Sequence, residues 1–218
     1  RAMDRAFDAL TIVADGGTPD IAKPLAGLGA GVWELAIKER GDAAAHPGKG
    51  FHLALGAPSI DAVFAFEAAA VPAGGAVVEA ARAWPEFGDG YVAAYVTDPD
   101  GWQLEAVVNQ PVTRLATYGT LGPGRPNHHH VSAIQGEWTR GSVRGDLRQE
   151  GWGADQGYPG IVLDAAGPVV ELDILESPEL DAHLARLDDF EGTGYRRVPA
   201  VVDATGGRVL AYIYVLAD

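Results

Sequence analysis

The residues best suited to chemistry lie at the end of a predicted helix, in the sequence LDDFEG of residues 187–192. Phe190 continues an apolar helical stripe, and Gly192 is suited to ending the helix. Glu191 is therefore expected at the helix C-terminus, where loss of water and the helix dipole both raise its pKa. A carboxylate with a raised pKa can act as a general base near neutral pH. The same pattern also fits a solvated acid in a run of acids.

A second candidate is the glycine-rich sequence LATYGTLGPG of residues 115–124. A predicted strand leads into a loop whose glycines can expose successive backbone N–H groups. Such groups can bind a carboxylate or a developing oxyanion. A tight turn that needs glycine only for a positive φ also explains the pattern, so both interpretations stay open.

Three motifs follow one another in the C-terminal half: Tyr-Gly-Thr-Leu at 118–121, Gly-Tyr-Pro-Gly-Ile at 157–161, and Leu-Asp-Asp-Phe-Glu-Gly-x-x-Tyr-x-Arg at 187–197. With this set, residues 113–218 resemble the gamma-glutamylcyclotransferase-like family. The resemblance implies a small β-barrel with flanking helices and a catalytic role for Glu191. It also implies a substrate pocket lined by Tyr118, Gly119, Thr120 and Leu121.

The reaction implied by this resemblance is intramolecular. The α-amine of a γ-glutamyl amine or amino acid attacks its own γ-carbonyl, and 5-oxoproline is released. Glu191 takes a proton from the attacking amine and passes it to the leaving amine. Because the reacting groups share one molecule, no cofactor is expected in this half. In the third motif, Tyr195 and Arg197 could position the substrate, but Tyr195 is interpreted as a packing residue and Arg197 as a surface charge.

Two titratable residues of the N-terminal half lie in predicted strands that are otherwise small and apolar. His52 lies in Gly-Phe-His-Leu-Ala-Leu, and Glu105 follows the turn sequence Asp-Pro-Asp-Gly of residues 98–101. An unpaired buried charge is costly, so an acid in such a strand points to a partner. Histidine with a carboxylate suits a divalent metal. A satisfied histidine and a cavity-facing acid unrelated to metal fit equally well.

Residues 46–109 resemble the second βαβββ module of the vicinal oxygen chelate family, which includes glyoxalase and bleomycin-resistance proteins. The Asp-Pro-Asp-Gly-x-x-Leu-Glu hairpin after an alanine-rich helix carries the resemblance, which implies that His52 and Glu105 are metal ligands. The first strand of the first module is expected to be missing, because residues 4–10 already match the helix that follows it. Glu34 is a candidate replacement ligand. The alternatives to a cyclotransferase are therefore a small-molecule binding or resistance protein, or a metal-dependent enzyme.

The predicted fold class is α+β, with two domains at residues 1–110 and 113–218. The first is a vicinal oxygen chelate-like domain with an incomplete first module, and the second is the small barrel. A length of 218 residues suffices for two domains of about 100 residues each. Pro111 suits the linker, because proline cannot donate to a strand ladder.

Local signals predict several elements. In the first half, Ser59 is the expected N-cap of a helix, and strands are expected over 91–97 and 102–108. In the second half, a helix is expected to start at Ser177-Pro178. Strands of this half are expected over 169–175, 198–202 and 208–216, the last one central because it is apolar on both faces. A further strand of the first half is expected over 51–55.

The composition of the chain argues against several classes of binding partner and chemistry. A formal net charge of −14 argues against a nucleic-acid partner, which would require clustered Lys and Arg. The absence of cysteine excludes disulfides and a thiolate nucleophile. No apolar run approaches the roughly 18 residues of a membrane span. We therefore expect a cytoplasmic protein with a small-molecule substrate. We also expect a homodimer, since a missing first strand would leave a sheet edge to cover.

Three successive histidines at residues 128–130 follow Pro126 and Asn127. Three adjacent side chains cannot all face one metal ion from a strand or a helix, so a shared metal site is disfavoured. The sequence assigns this motif no function.

Overall fold

The computed structural model describes residues 22–24, 33–35, 52–154 and 157–217. The chain divides into two compact units, the first made of Arg1–Ala81 with Ala93–Val108 and the second of Arg82–Val92 with Asn109–Asp218. The segment Arg82–Val92 groups with the C-terminal unit, although the sequence placed everything before residue 111 in one domain. The domain limits 1–110 and 113–218 stay a prediction.

The helices and strands of the described residues have the following bounds. The helices are α1 (Ile60–Ala70) and α2 (Asp181–Glu191), with single 3₁₀ turns at Pro85–Phe87 and His128–His130. The strands are β1 (Ala22–Pro24), β2 (Trp33–Leu35), β3 (Leu53–Gly56), β4 (Ala76–Ala83), β5 (Tyr91–Thr97), β6 (Gln103–Asn109), β7 (Arg114–Thr117), β8 (Glu137–Arg148), β9 (Gly160–Leu163), β10 (Val169–Glu176), β11 (Tyr195–Ala204) and β12 (Gly207–Leu216).

Helix α1 and a four-stranded sheet in the order β3-β6-β5-β4 are the main N-terminal elements. The predicted N-cap is confirmed, because the Ser59 hydroxyl accepts a hydrogen bond from the Ala62 N–H. Val63 and Phe66 of the helix pack against Ala94 of β5. Strand β3 runs parallel to β6, and β1 pairs antiparallel with β2.

The turn between β5 and β6 is built as its sequence predicts. The Asp98 carboxylate accepts hydrogen bonds from the N–H groups of Asp100 and Trp102, at 2.9 and 2.8 Å. An aspartate that binds backbone groups two and four residues ahead stabilises a tight reversal. Trp102 belongs to this turn, so β6 begins at Gln103 and not at the predicted Trp102.

Five strands of the C-terminal unit close into a small barrel. Going round it, β7 pairs with β12, β12 with β11, β11 with β8, β8 with β10, and β10 with β7. Only the β7–β12 pair is parallel. At the β8–β11 contact, a Cβ on Gly141 would meet the Asp203 carbonyl oxygen at 2.6 Å. Glycine is required there because the two backbones approach closely. Strand β8 continues past the barrel and pairs with β9.

Strand β12 is central and buried on both faces, which confirms the interpretation of its sequence. Ala211, Ile213 and Val215 belong to one apolar cluster. Tyr212 and Tyr214, which alternate with them, belong to a second cluster together with the leucines of α2. The alternating side chains of one strand therefore connect the barrel interior with the helix that carries Glu191.

Helix α2 starts later than its sequence predicts. The segment 178–180 forms a turn, and the Ser177 hydroxyl accepts a hydrogen bond from the Glu179 N–H at 3.1 Å. The same hydroxyl donates to the Gln135 carbonyl oxygen at 2.6 Å. Because Ser177 is tied to a distant segment, the helix begins at Asp181 and not at Pro178.

Some expectations fall on residues outside the described part. The predicted helix of residues 4–10 and the side chain of Glu34 are among them, and Glu34 is described only as a backbone position of β2. No helix in the described part of the chain is long and apolar enough to cross a membrane.

Candidate active site

Glu191 is the last residue of α2, and the local sequence buries it there. The helix ends because Gly192 has a φ of 68° and its N–H donates to the Asp188 carbonyl oxygen at 2.9 Å. Leu184 and Leu187 lie on the same buried face, and Glu191 is only 8% exposed. Burial raises the pKa of Glu191 from its ordinary 4.5 to about 7, because loss of water disfavours the carboxylate.

The loop of residues 118–121 directly follows β7. Its Thr120 and Leu121 are buried. Within residues 52–154 and 157–217, the backbone N–H groups of Gly119, Thr120 and Leu121 find no hydrogen-bond acceptor. Adjacent N–H groups without internal partners are suited to a ligand oxygen that carries negative charge.

Glu191 and this loop line the same pocket. Its empty space amounts to about 420 Å³, including the opening to solvent. The lining residues are Ala116, Thr117, Tyr118, Gly119, Thr120, Leu121, Trp152, Gly153, Tyr158, Pro159, Glu191, Tyr195 and Tyr214. A buried carboxyl group with a near-neutral pKa therefore shares a cavity with a row of backbone donors, the arrangement that acyl chemistry needs.

The Tyr118 hydroxyl has a structural role, because it makes hydrogen bonds to two backbone groups. It donates to the Tyr214 carbonyl oxygen at 2.9 Å and accepts from the Ile161 N–H at 3.1 Å. Burial raises the pKa of Tyr118 far above its usual value. The phenol therefore stays neutral, and its contribution to the pocket is an apolar wall.

Trp152 and Tyr195 extend the pocket wall beside Glu191. The Trp152 indole N–H donates to the Glu191 carbonyl oxygen at 3.2 Å. Its ring meets the Phe190 ring edge to face, with 5.3 Å between centroids. Burial, together with the negative charge of Glu191, raises the pKa of Tyr195. Tyr195 thus contacts the pocket directly, beyond the packing role expected for it.

A polar network holds the last turn of α2 against the barrel. Arg197 donates from Nε and Nη2 to the two carboxylate oxygens of Asp188, at 2.9 and 3.0 Å. Tyr214 donates its hydroxyl to Asp188 at 2.7 Å, and the guanidinium lies 4.4 Å from the Tyr212 ring centre. The hydrogen bonds from Arg197 lower the pKa of Asp188. The interpretation of Arg197 as a surface charge was therefore wrong.

His52 and Glu105 meet in the N-terminal unit. The Glu105 carboxylate is 1% exposed and binds His52 Nε2 at 2.9 Å and the Tyr95 hydroxyl at 3.0 Å. Among the described residues, no group of three or more His, Cys, Asp or Glu is placed to hold a metal ion. Two donors that bind each other do not make a complete metal site, so this pair alone does not hold a metal ion.

Sequence reasoning missed part of the pocket. Gly153 and Tyr214 carry no motif that separates them from core residues. Tyr158 and Pro159 lie within the second motif, which was used only for the family resemblance. Their positions depend on the pairing of β8 with β9 and of β12 with β7 and β11, which no local signal in the sequence predicts.

Residues 115–218 match the family model described as "Gamma-glutamyl cyclotransferase, AIG2-like". The C-terminal region therefore contains an AIG2-like domain. The match does not extend to the N-terminal residues, so their resemblance to the vicinal oxygen chelate family has no support from it. No curated protein matches the chain.

Several solved structures are similar to part of this chain. The YkqA protein of Bacillus subtilis is 24% identical over 48% of this chain and 35% of its own, with a TM-score of 0.39. An uncharacterized protein from Pyrococcus horikoshii is 24% identical over 50% of this chain and 80% of its own, with a TM-score of 0.37. An AIG2-like protein from Mus musculus is 26% identical over 50% of this chain and 79% of its own, with a TM-score of 0.38.

Proposed function

We propose that the C-terminal region releases 5-oxoproline from a γ-glutamyl amine or amino acid, with Glu191 as general acid and base. One observation carries the proposal. Glu191 is buried, its pKa is raised to about 7, and it lines the same pocket as Gly119, Thr120 and Leu121, whose backbone N–H groups have no acceptor among the described residues. A general base is most effective when its pKa lies near the working pH.

The proposed reaction balances within one substrate molecule. Glu191 takes a proton from the α-amine while the amine nitrogen forms a bond to the γ-carbonyl carbon. Negative charge develops on the carbonyl oxygen, and the N–H groups of the 118–121 loop are suited to stabilise it or the substrate carboxylate. The bond to the leaving nitrogen then breaks, and Glu191 returns the proton to that nitrogen. The pocket contributes mainly proximity and orientation, so the proposal requires no cofactor.

The test is 5-oxoproline release from a panel of γ-glutamyl amines and amino acids, with and without EDTA. We expect release that is insensitive to EDTA and lost in Glu191→Gln. The matched control is Asp189→Asn, which neutralises an exposed acid two residues away and should retain turnover. Full activity of a folded Glu191→Gln variant would overturn the role of Glu191.

A second candidate function rests on the buried Glu105 and its contact with His52. We propose that the N-terminal unit is a vicinal oxygen chelate-like module that binds a small molecule or, with further ligands, a divalent metal. Isothermal titration with Zn²⁺, Mn²⁺ and Ni²⁺ tests the metal. In a matched titration, the His52→Ala variant should no longer bind the metal if the His52–Glu105 pair supplies ligands. An unchanged metal affinity would exclude a metal site at this pair.

Several properties stay proposals at this point. They are a cytoplasmic location, a small-molecule partner without nucleic acid or membrane, and a homodimer. The dimer is checked by multi-angle light scattering, where the mass of a single 22.8 kDa chain would overturn it.

A further inference from the structure

The histidine turn of residues 128–130 and the preceding Asn127 contact the 118–121 loop through two hydrogen bonds. The backbone N–H of Asn127 donates to the Thr120 carbonyl oxygen at 3.0 Å. His128 Nδ1 lies 3.0 Å from the Leu121 carbonyl oxygen. A carbonyl oxygen can only accept, so this contact requires the imidazole to carry its proton on Nδ1.

These two bonds fix the backbone on both sides of Leu121. A peptide unit is planar and trans, so its C=O and N–H point in opposite directions. The bond to the Thr120 carbonyl therefore sets the direction of the N–H of Leu121, a residue that lines the pocket. The bond from His128 to the Leu121 carbonyl sets the next peptide plane, which carries the Gly122 N–H. Together they determine the rotation of the backbone at Leu121.

The same turn also contacts the helix that carries Glu191. The His130 ring lies against the Phe190 ring, with 3.9 Å between centroids and 32° between planes. Arg186 of α2 donates from Nη2 to the His130 carbonyl oxygen at 2.8 Å. The turn therefore contacts both halves of the candidate site, the donor loop and the helix end.

We propose that His128 is a positioning residue that holds the Thr120–Leu121 backbone so that the loop N–H groups face the pocket. The inference rests on the proposed function and adds a part to it. The His128 ring is itself held, at 5.5 Å between centroids from the Trp138 ring. A rigid side chain that fixes one peptide plane is the kind of support that a preorganised anion site requires.

The test compares substitutions that keep or remove the Nδ1 donor. Asparagine places its amide N–H near the position of His Nδ1, whereas leucine fills similar space without a donor. We expect His128→Leu to lower kcat/KM for 5-oxoproline release by about tenfold or more, since a lost anion-site donor costs about 10²–10³ and a misaligned one less. His128→Asn should stay within about threefold of wild type. His129→Leu, at the exposed neighbouring histidine, is the control and should leave kcat/KM unchanged.

Two readouts do not depend on turnover. The ¹⁵N spectrum of the imidazole should show His128 as the Nδ1–H tautomer. The backbone ¹⁵N order parameters of Leu121 and Gly122 should fall in His128→Leu but not in His128→Asn. An Nε2–H tautomer, or unchanged order parameters in His128→Leu, would overturn the inference even if no substrate turns over.

The two failures are distinguishable. If wild type and Asp189→Asn release no 5-oxoproline from any substrate, the proposed function fails, and the NMR readouts alone decide the role of His128. If wild type turns over and His128→Leu retains its full kcat/KM, the positioning role fails while the proposed function stands. Equal losses in His128→Leu and His128→Asn would also count against positioning.

Discussion

The hydroxyl group of Tyr118 donates to the backbone carbonyl of Tyr214 across 2.9 Å. The same oxygen accepts the N–H of Ile161 at 3.1 Å. Tyr118, at the start of the 118–121 loop, therefore connects β9 and β12, two strands that do not pair with each other. This phenol stabilises the walls of the pocket from within.

Removal of the hydroxyl in Tyr118→Phe should lower the free energy of unfolding by about 1–3 kcal/mol, because it leaves a buried donor and a buried acceptor unsatisfied. Urea denaturation measures the change. Tyr158→Phe is the control, since the Tyr158 hydroxyl, which also belongs to a pocket residue, has no hydrogen-bond partner among the described residues. Equal urea midpoints for Tyr118→Phe and wild type would contradict the prediction.

The pH dependence of turnover should reflect Glu191. Its pKa is raised by burial to about 7, and a protonated carboxyl group cannot accept the proton of the amine. On the acid side, kcat/KM should therefore fall about tenfold for each pH unit below 7 and level off above it. Rates of 5-oxoproline release between pH 5 and 8 check this. A midpoint near 4.5, the ordinary value for glutamate, would show that Glu191 is not the group that titrates.

The same burial should make Glu191 costly for stability at high pH. A pKa raised from 4.5 to about 7 means that the folded state holds its proton more tightly than the unfolded chain. The stabilising effect is therefore complete below pH 4.5 and is lost as the pH rises through 7. The loss amounts to about 3 kcal/mol, at about 1.4 kcal/mol for each pKa unit.

Glu191→Gln tests this, because glutamine is neutral at every pH. The stability of the variant relative to wild type should increase between pH 4.5 and 8 by an amount of that order. Urea midpoints of both proteins at several pH values measure it, and Asp189→Asn should show a much smaller trend. A constant difference across this range would mean that Glu191 is solvated in the folded protein.

The parts of the fold that the sequence predicts correctly are those that depend on residues close together in the chain. The Asp98 turn, the Ser59 N-cap and the Gly192 helix end each depend on residues within four positions, and each was predictable. The burial of β12 was also predictable, because Ala211 to Leu216 are apolar on both faces. Signals of this kind act through backbone geometry that the neighbouring residues themselves determine.

Contacts between distant segments were not predictable in the same way. The bidentate Asp188–Arg197 pair needs β11 to lie under the end of α2, and an acid and a base nine residues apart look like two surface charges. The start of α2 moved because Ser177 binds Gln135, 42 residues earlier. The vicinal oxygen chelate resemblance depends on a hairpin after an alanine-rich helix and implies only His52 and Glu105 as ligands. Such a local pattern does not contain the complete ligand set that a metal site requires.

Gly119 and Gly122 should respond differently to alanine. A Cβ on Gly119 would meet no protein atom within 4 Å, and because Gly119 lines the pocket, the methyl group would occupy ligand space. Gly119→Ala should keep the stability of wild type within about 0.5 kcal/mol and raise KM. A Cβ on Gly122 would lie 2.7 Å from an Asp173 carboxylate oxygen, so Gly122→Ala should be destabilised. Thermal unfolding and steady-state kinetics separate the two, and a destabilised but kinetically normal Gly119→Ala variant would contradict this.

The last prediction concerns the bidentate Asp188–Arg197 pair in the last turn of α2. Arg197 binds both oxygens of Asp188, and lysine, a point charge, cannot make both bonds. The two side chains are 20% and 41% exposed, so solvent screening keeps the expected loss in Arg197→Lys to about 1–2 kcal/mol.

Arg196→Lys is the matched control, because Arg196 is exposed on the neighbouring position of β11 and should tolerate lysine. Asp188 accepts the Gly192 N–H through its backbone carbonyl, and its carboxylate accepts the hydroxyl of Tyr214, a pocket residue. Loss of the bidentate pair should therefore displace the end of α2 and lower kcat in Arg197→Lys. Urea denaturation and 5-oxoproline release on both variants decide the matter. If the two variants behave alike, the Asp188–Arg197 pair contributes no more than a surface charge.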